Sequence, residues 1–434
     1  MRLHTGRTGG LVVGGQPLRV LRLNPAAAAV VRRWQLGDRQ VGERERAMAG
    51  RLHDAGLGEL RLAPTWTPAD VTVVVPVRDR AAALERCLSA LGPLRVLVVD
   101  DASADGRPLV EVAGRHGADL LVRPVNGGPG AARNTGLAAV TTDLVAFVDS
   151  DCQVPPGWLT GLLDALGTAD AVAPRIVGAG GPGVLARFEV DAGPLDQGQL
   201  AGPVRPGSRV GHVPAAVLLC RRGALEAGFD ETLRVGEDVD LVWRLTSVRY
   251  APDVVVRHAT RPDLPSWLRQ RHGYGASAAP LDARHPGRLA PVVVSRWSLP
   301  TLALLLGRRP GWALAATALA GVGLRSKLPD APGRSIEAAR LATEGLGWTV
   351  LGLADAAARP WLPALLPLSV GSRPVRRALA GAVGLRLWRA RRTRSGGLVA
   401  WAALRVVDDL AYAGGVWTGA LTTGRAGPLL PRIS

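Results

Sequence analysis

The sequence is poor in lysine, cysteine and aromatic side chains, and it lacks any apolar run long enough to span a bilayer. Lys327 is the one lysine among 53 basic residues, and aromatics make up 4% of the 434 positions. That bias toward Arg and Ala reads as coding composition. Cys87, Cys152 and Cys220 are odd in number, far apart and without metal-ligand spacing, which excludes a disulfide framework and a zinc site and fits a reducing cytosol. Residues 1 to 15 carry Arg2 and Arg7 but no continuous apolar stretch of secretory length, so no signal peptide is expected and the expected location is cytoplasmic. The apolar segments Val292 to Leu306 and Gly311 to Leu324 hold only 15 and 14 residues, split by Gly307-Arg308-Arg309-Pro310. A single span needs about 20, so these segments suit an interfacial or re-entrant hairpin or a plain helical core.

What is present is unevenly spread. Residues 1 to 256 hold 28 Arg and 28 acidic residues, whereas residues 257 to 434 hold 25 basic and 8 acidic ones, so the whole net charge of +17 lies in the last third. The same third has 8 of the 12 Trp. Basic charge mixed with Leu, Ala, Val and Trp favours an anionic membrane surface over nucleic acid as partner. Val375, Leu379, Val383 and Leu387 recur at steps of four among Arg376, Arg377, Arg386, Arg389, Arg391, Arg392 and Arg394, the pattern of a basic amphipathic helix. Its expected place is the inner face of the cell membrane or a solvated bundle.

The chain is long enough for two or three domains, and three regions are expected: 1–68, 69–280 and 281–434. In the first, Leu11 to Val13 and Leu18 to Leu23 read as strands around Gly14-Gly15. Asn24-Pro25 then caps a helix toward Trp34, and a second helix from Arg44 to Ala55 stops at Gly56. The linker Pro64 to Pro68 leads into the second region. There, the β-branched runs Val71 to Val75, Val96 to Val99, Leu120 to Val122 and Leu144 to Val148 alternate with helical segments, which predicts an α/β fold with a mostly parallel sheet covered on both faces. The third region is expected to be helical. Ligands of such sheets bind beyond the carboxyl ends of the strands, so the residues following each run are the candidates for chemistry.

Those residues are rich in charge. Pro76-Val77-Arg78-Asp79-Arg80 follows the first run and Asp100-Asp101 the second. A carboxylate there suits a base N–H or ribose hydroxyl, and a helix N-cap would use the same residues. Asn126 to Gly136 is glycine-rich and opens a helix carrying Arg133, a positive end fit for a diphosphate, without the Gly-Lys-Ser/Thr of a Walker loop. After the fourth run, Asp149-Ser150-Asp151 offers two carboxylates to one hard cation such as Mn²⁺ or Mg²⁺, which would also hold a diphosphate. Downstream, Gly236-Glu237-Asp238 starts a helix with its acids toward the same crevice, where one of them could deprotonate an attacking hydroxyl. His258, after the run Val254 to Val256, is either a metal ligand or a core histidine.

The ordered set Pro76-Val77-Arg78, Asp100-Asp101, Arg133-Asn134, Asp149-Ser150-Asp151 and Gly236-Glu237-Asp238 resembles the family 2 glycosyltransferases over residues 70 to 275. That resemblance implies a GT-A type nucleotide-binding domain and a nucleotide-sugar donor contacted by Pro76, Arg78, Asp101, Arg133 and Asp149. Asp101 falls at the uracil, Asp149 near the ribose, and Asp151, Asp149 and His258 around the metal. Asp238, with Glu237 beside it, becomes the base of a single inverting displacement. The acceptor loop departs from the family's glycine-rich pattern and reads Pro214-Ala215-Ala216. Two further resemblances narrow the reading. Leu23 to Ala28 and His53 to Leu57 resemble small winged-helix domains that bind leader peptides, a helical cap being the alternative. Arg271-His272-Gly273-Tyr274-Gly275 and Arg284-His285-Pro286-Gly287 are similar to the glycosyltransferases of the mycofactocin system, which implies UDP-glucose as donor and a peptide-derived small-molecule acceptor. A lipid phosphate or cell-wall glycan is the competing acceptor, and a catalytically silent peptide- or lipid-binding protein the competing class. A nucleotidyltransferase ranks below these, since the first strand lacks that group's glycine-rich, Arg- and Lys-bearing loop.

Overall fold

The computed structural model describes residues 2–3, 11–15, 19–38, 40–59, 65–330, 333–390 and 397–434. Arg7, Leu18, Pro64, Arg391, Arg392 and Arg394, named above, lie outside them. Near the start, β1 (Leu11–Gly14) pairs antiparallel with β2 (Arg19–Arg22), and α1 (Pro25–Gln35) follows. Asn24 Oδ1 accepts from the amide of Ala27 at 2.7 Å and Pro25 sits at the first helical position, the cap the sequence announces. Next, α2 (Arg46–Asp54) ends at Gly56, whose φ is +69°.

The sheet region alternates as expected. In order come β3 (Val71–Val77), α3 (Ala81–Leu91), β4 (Arg95–Asp100), α4 (Arg107–Arg115), β5 (Asp119–Val122), α5 (Pro129–Ala139), β6 (Leu144–Val148), β7 (Cys152–Gln153) and α6 (Trp158–Leu166). Then follow β8 (Ala171–Gly178), α7 (Val184–Ala192), β9 (Gly202–Pro203), β10 (Val217–Arg221), α8 (Glu237–Arg244) and β11 (Val248–His258). They form one sheet of nine strands ordered β9-β11-β8-β10-β6-β3-β4-β5, with β7 on β11. The first four strands pair in parallel, joined by helices. Beyond β6 the sheet is mixed, because β10 runs antiparallel to both β6 and β8 while β8 and β11 are parallel. The mostly parallel expectation therefore holds for the first half of the sheet and gives way in the second half, where β10 runs antiparallel to both its neighbours.

Both faces of the sheet are covered. Val73, Val75, Leu144 and Val148 pack under Leu84, Leu88, Leu159 and Leu162, while Val74, Val99 and Phe147 pack under Ala132, Leu241 and Val242. Side chains alternate across a strand, so a run such as Val73-Val74-Val75 feeds both cores. Each fully buried Val or Leu contributes roughly 1.5–3 kcal/mol of transfer free energy.

The remaining elements are helical: α9 (Leu264–Ala276), α10 (Ala278–Arg284), α11 (Leu299–Leu306), α12 (Pro310–Lys327), α13 (Arg334–Ala358), α14 (Leu362–Gly371), α15 (Arg373–Ala390) and α16 (Leu398–Thr423). Val293–Val294 is a short strand rather than part of the first apolar helix. Contacts divide the chain into two compact units. One contains residues 40–262, and the other contains β1, β2, α1 and residues 263–434. Residues 1–68 thus contribute to both units, and the helical unit starts at Asp263, ahead of the boundary at 281 expected from sequence. Asp263 caps α9 through the amide of Ser266, and Gly275, Gly415 and Gly419 let α9 and α16 approach so closely that an added Cβ would meet the opposing backbone. Among the described residues no helix is long and apolar enough to cross a membrane.

Candidate active site

The carboxyl ends of β3, β4 and β6 gather the charged residues named from sequence. β6 ends at Val148 and Asp149 follows at once, its amide bonded to the carbonyl of Ala216 at 2.8 Å. Arg133, on α5 and 3% exposed, joins two elements: its Nη2 donates to Asp149 Oδ1 at 2.7 Å and its Nη1 to Glu237 Oε1 at 2.7 Å. The guanidinium also stands 5.3 Å over the ring of Phe229. The β6 tip and the start of α8, 88 residues apart in number, are therefore parts of one crevice, tied by a single buried cation. Burial, with repulsion from Asp238 and against the pull of Arg133, pushes Glu237 up to about 7. Burial also pushes Asp149 up, with Arg133 opposing and Asp151 adding to it.

Asp151 is held from the other side. Its Oδ2 accepts from Arg80 Nη1 at 2.8 Å and its Oδ1 lies 3.2 Å from His258 Nε2. Although burial works against ionisation, the hydrogen bond and charge of His258 and the charge of Arg80 hold Asp151 well below the usual carboxylate range. Burial likewise disfavours the His258 cation, yet the bond to Asp151 carries the ring upward. Among the described residues no three acidic, cysteine or histidine side chains are grouped as a ready metal cage. The donor set itself, two carboxylates and an imidazole acting on one another electrically, is of the kind that suits a hard divalent cation.

Other residues take parts that sequence did not foresee. Asp101, 5% exposed, accepts from Arg123 Nε, Gly127 N and Gly128 N at 2.7 to 2.9 Å. Three donors fill three of its four or so lone-pair sites, so it first of all shapes the glycine loop and keeps about one site for a ligand. Asp100 binds the amide and hydroxyl of Ser103, and Asp79 binds Ala104 N and Ser103 Oγ, which locks the β3 and β4 tips together. Asp79 and Ala102 pay with left-handed backbone, φ +55° and +57°. Pro76 is half-buried within β3. Arg78 points outward, 49% exposed and 3.4 Å from Asp79, while Arg80 reaches the site. Beyond the strand end at Val77, Arg78 and Arg80 have the same parity, so strand alternation does not reveal which arginine turns inward. Asp238 accepts from Ala215 N at 3.2 Å and Val239 N at 2.8 Å, at the first turn of α8 and partly exposed.

The chemistry available is that of holding an anion between cations and drawing a proton from a neighbour. The model of the family described as glycosyl transferase family 2 matches residues 72–227. Over 449 aligned residues the chain is 39% identical to the pre-mycofactocin glycosyltransferase of Mycobacterium tuberculosis, covering 98% of this chain and 95% of that protein. It is 33% identical to the succinoglycan biosynthesis protein ExoU of Rhizobium meliloti over 195 residues, 41% of this chain and 57% of that one. Among solved structures, S. aureus TarS 1-349 in complex with UDP-GlcNAc is similar with a TM-score of 0.40 at 17% identity, covering 82% of this chain and 92% of that one.

Proposed function

Since this chain belongs to glycosyl transferase family 2 and is a glycosyltransferase, we propose that it transfers glucose from UDP-glucose to a hydroxyl of a peptide-derived redox cofactor, mycofactocin or its precursor. The likeness over nearly the full length of a relative named for pre-mycofactocin supports that acceptor. The observation that carries the reading is Arg133 binding Asp149 and Glu237 at once, which puts a strand-tip carboxylate and the acids of α8 around one crevice. In this reading Arg133 and Arg80 meet the donor's diphosphate, Asp101 meets the base and Asp149 the ribose. Asp149, Asp151 and His258 would hold a divalent ion, which neutralises charge on the leaving diphosphate when bound. Asp238 takes charge of the acceptor proton as the hydroxyl attacks from the face opposite the leaving group, inverting the anomeric carbon. The N-terminal 68 residues contribute peptide recognition, as their short resemblance to leader-peptide binders implies.

Mass spectrometry of product and UDP release across several sugar nucleotides, with Mn²⁺, Mg²⁺ or chelator, tests the proposal. UDP-glucose should be used best, only with metal, and Asp238→Asn should lose turnover while still binding UDP. Equal use of all donors, or full rates with chelator, overturns the donor and metal assignments respectively.

A second feature bears on location. Trp312, Trp348 and Trp388 are 58–68% exposed on helices of the basic third, and on α15 the residues Val375, Leu379 and Val383 turn inward from exposed Arg376 and Arg377. We read this as a surface for peripheral association with an anionic membrane, which high salt should release in fractionation and which a protein wholly soluble at low salt contradicts.

A further inference from the structure

Helix α12 turns its small residues inward and its large ones outward. Its buried residues are Ala313, Ala320 and Gly321, and a Cβ added at Gly321 would stand 3.5 Å from the Cα of Ala339 on α13. On the α11 side the hydroxyls of Thr317 and Thr301 hydrogen-bond at 3.2 Å. Trp312, Leu314, Leu319 and Val322, by contrast, are 66–73% exposed. Trp312, Ala315, Leu319 and Val322 recur at steps of three and four, with Leu314 and Ala318 beside them, so the outward face is one apolar stripe. No residue from Pro310 to Leu324 is charged.

A helix that borders water shows the opposite arrangement, with large apolar side chains inward and charges outward. Small residues between helices and large apolar ones outside is how helices pack when lipid surrounds them. The charges stand at the two ends. Exposed Arg308 and Arg309 precede the helix, and exposed Arg325 and Lys327 lie in its last turn, with Lys327 Nζ 5.0 Å over the ring of Trp297. Two copies laid face to face along this stripe would bring cation against cation in either direction, so the charge favours an anionic partner over a second copy.

We propose that α12 lies flat in one leaflet of an anionic phospholipid bilayer, with Trp312, Leu314, Leu319 and Val322 among the acyl chains and the cations of both ends on the phosphates. This rests on the membrane-surface reading above and names the element that enters the lipid and its orientation. Length and charge set that orientation. At about 1.5 Å per residue, the stretch from Pro310 to Leu324 rises roughly 22 Å, short of a hydrocarbon core of about 30 Å. An upright helix would leave one pair of cations in hydrocarbon, whereas a flat one lets both pairs reach headgroups of the same leaflet.

The test uses the full-length protein with vesicles of phosphatidylcholine, with and without phosphatidylglycerol, and follows co-sedimentation. The parent should bind the phosphatidylglycerol vesicles, and Leu319→Ser with Val322→Ser should weaken that binding about 10-fold or more, with UDP affinity and thermal midpoint unchanged because both side chains are exposed. The native cysteines are buried, so a polarity-sensitive dye can be placed at Leu314→Cys or Val322→Cys. On binding, both labels should shift to the blue and be quenched equally by lipids carrying a shallow spin label. Unequal depths overturn the flat orientation. A double variant that binds like the parent, with salt releasing both, overturns the role of α12 and leaves peripheral association standing. A parent that dimerises in light scattering, with the dimer lost in the double variant, shows that a second copy covers the face and overturns the lipid assignment. A parent that ignores phosphatidylglycerol vesicles sinks the membrane reading and this one with it.

Discussion

The protein buries charge in two places, and they are built on opposite plans. In the sheet unit Glu237, Asp149 and Asp151 stand at the ends of a helix and a strand, Arg133 reaches two of them from within α5, and Arg80 and Asp238 are open to solvent on one side. In the helical unit Asp408 and Asp409 lie in the middle of α16, 3% and 5% exposed. Arg271, Arg359, Arg386 and Arg405 close on them from α9, the end of α13, α15 and α16 itself, at 2.8 to 3.6 Å. Element ends leave backbone polar groups over for a ligand, whereas the acids in the middle of α16 face arginines of neighbouring elements. The first plan suits a candidate site; the second ties helices together through buried ion pairs, whose mutual attraction works against their desolvation cost.

The contrast can be broken from the helical side first. Asp408→Ala removes a carboxylate partner of buried Arg271 and should destabilise the protein by about 3–5 kcal/mol in urea unfolding, with UDP affinity unchanged. Replacing both partners, Arg271→Met with Asp408→Leu, should restore most of the loss, since an apolar pair needs no compensation. A matching fall in UDP affinity would show that the second cluster serves the site as well.

From the sheet side the expectation reverses. Asp151→Asn keeps an oxygen for Arg80 and removes a charge from the crevice, so kcat should fall on the order of 10³-fold while the thermal midpoint moves by less than about 2 °C. A large stability loss with modest loss of turnover would place Asp151 among the structural ion pairs.

How far each plan could be read in advance follows from where its partners lie. Strand-tip residues announce themselves, because Val71–Val77 and Leu144–Val148 are unbroken β-branched or apolar runs and the next residue is at the sheet edge by construction. The order Asp101, Arg133, Asp149, Asp238 was legible for that reason. The partner of each was not, since Arg80 rather than Arg78 turns to Asp151, and Arg123 with two glycine amides takes most of the acceptor capacity of Asp101. Which side chain turns inward after a strand depends on a loop whose Asp79 adopts positive φ, and no local pattern states it. The antiparallel entry of β10 was likewise hidden, as Val217–Arg221 reads as a buried strand in either direction. In the last third the α15 periodicity was visible, but no local pattern marks Asp408-Asp409 of α16 as buried, because their arginines are spread from residue 271 to 405.

The smallest effect distinguishes the two plans by titration. Burial raises Glu237 to about 7 from 4.5 even though Arg133 touches it, so the folded protein binds a proton there that the unfolded chain releases. A group raised in this way lends stability that is full below about 4.5 and lost as pH climbs through about 7. Its slope cannot exceed one proton, about 1.4 kcal/mol per pH unit. Glu237→Gln keeps an oxygen for Arg133 and cannot ionise, so urea midpoints measured at pH 5 and pH 7.5 should lie closer together than in the parent. An unchanged difference would mean that Arg133 keeps Glu237 ionised throughout. The crevice would then bury its charges fully paired, as α16 does, and its claim to hold capacity in reserve for a ligand would rest on Asp238 and the strand tips alone.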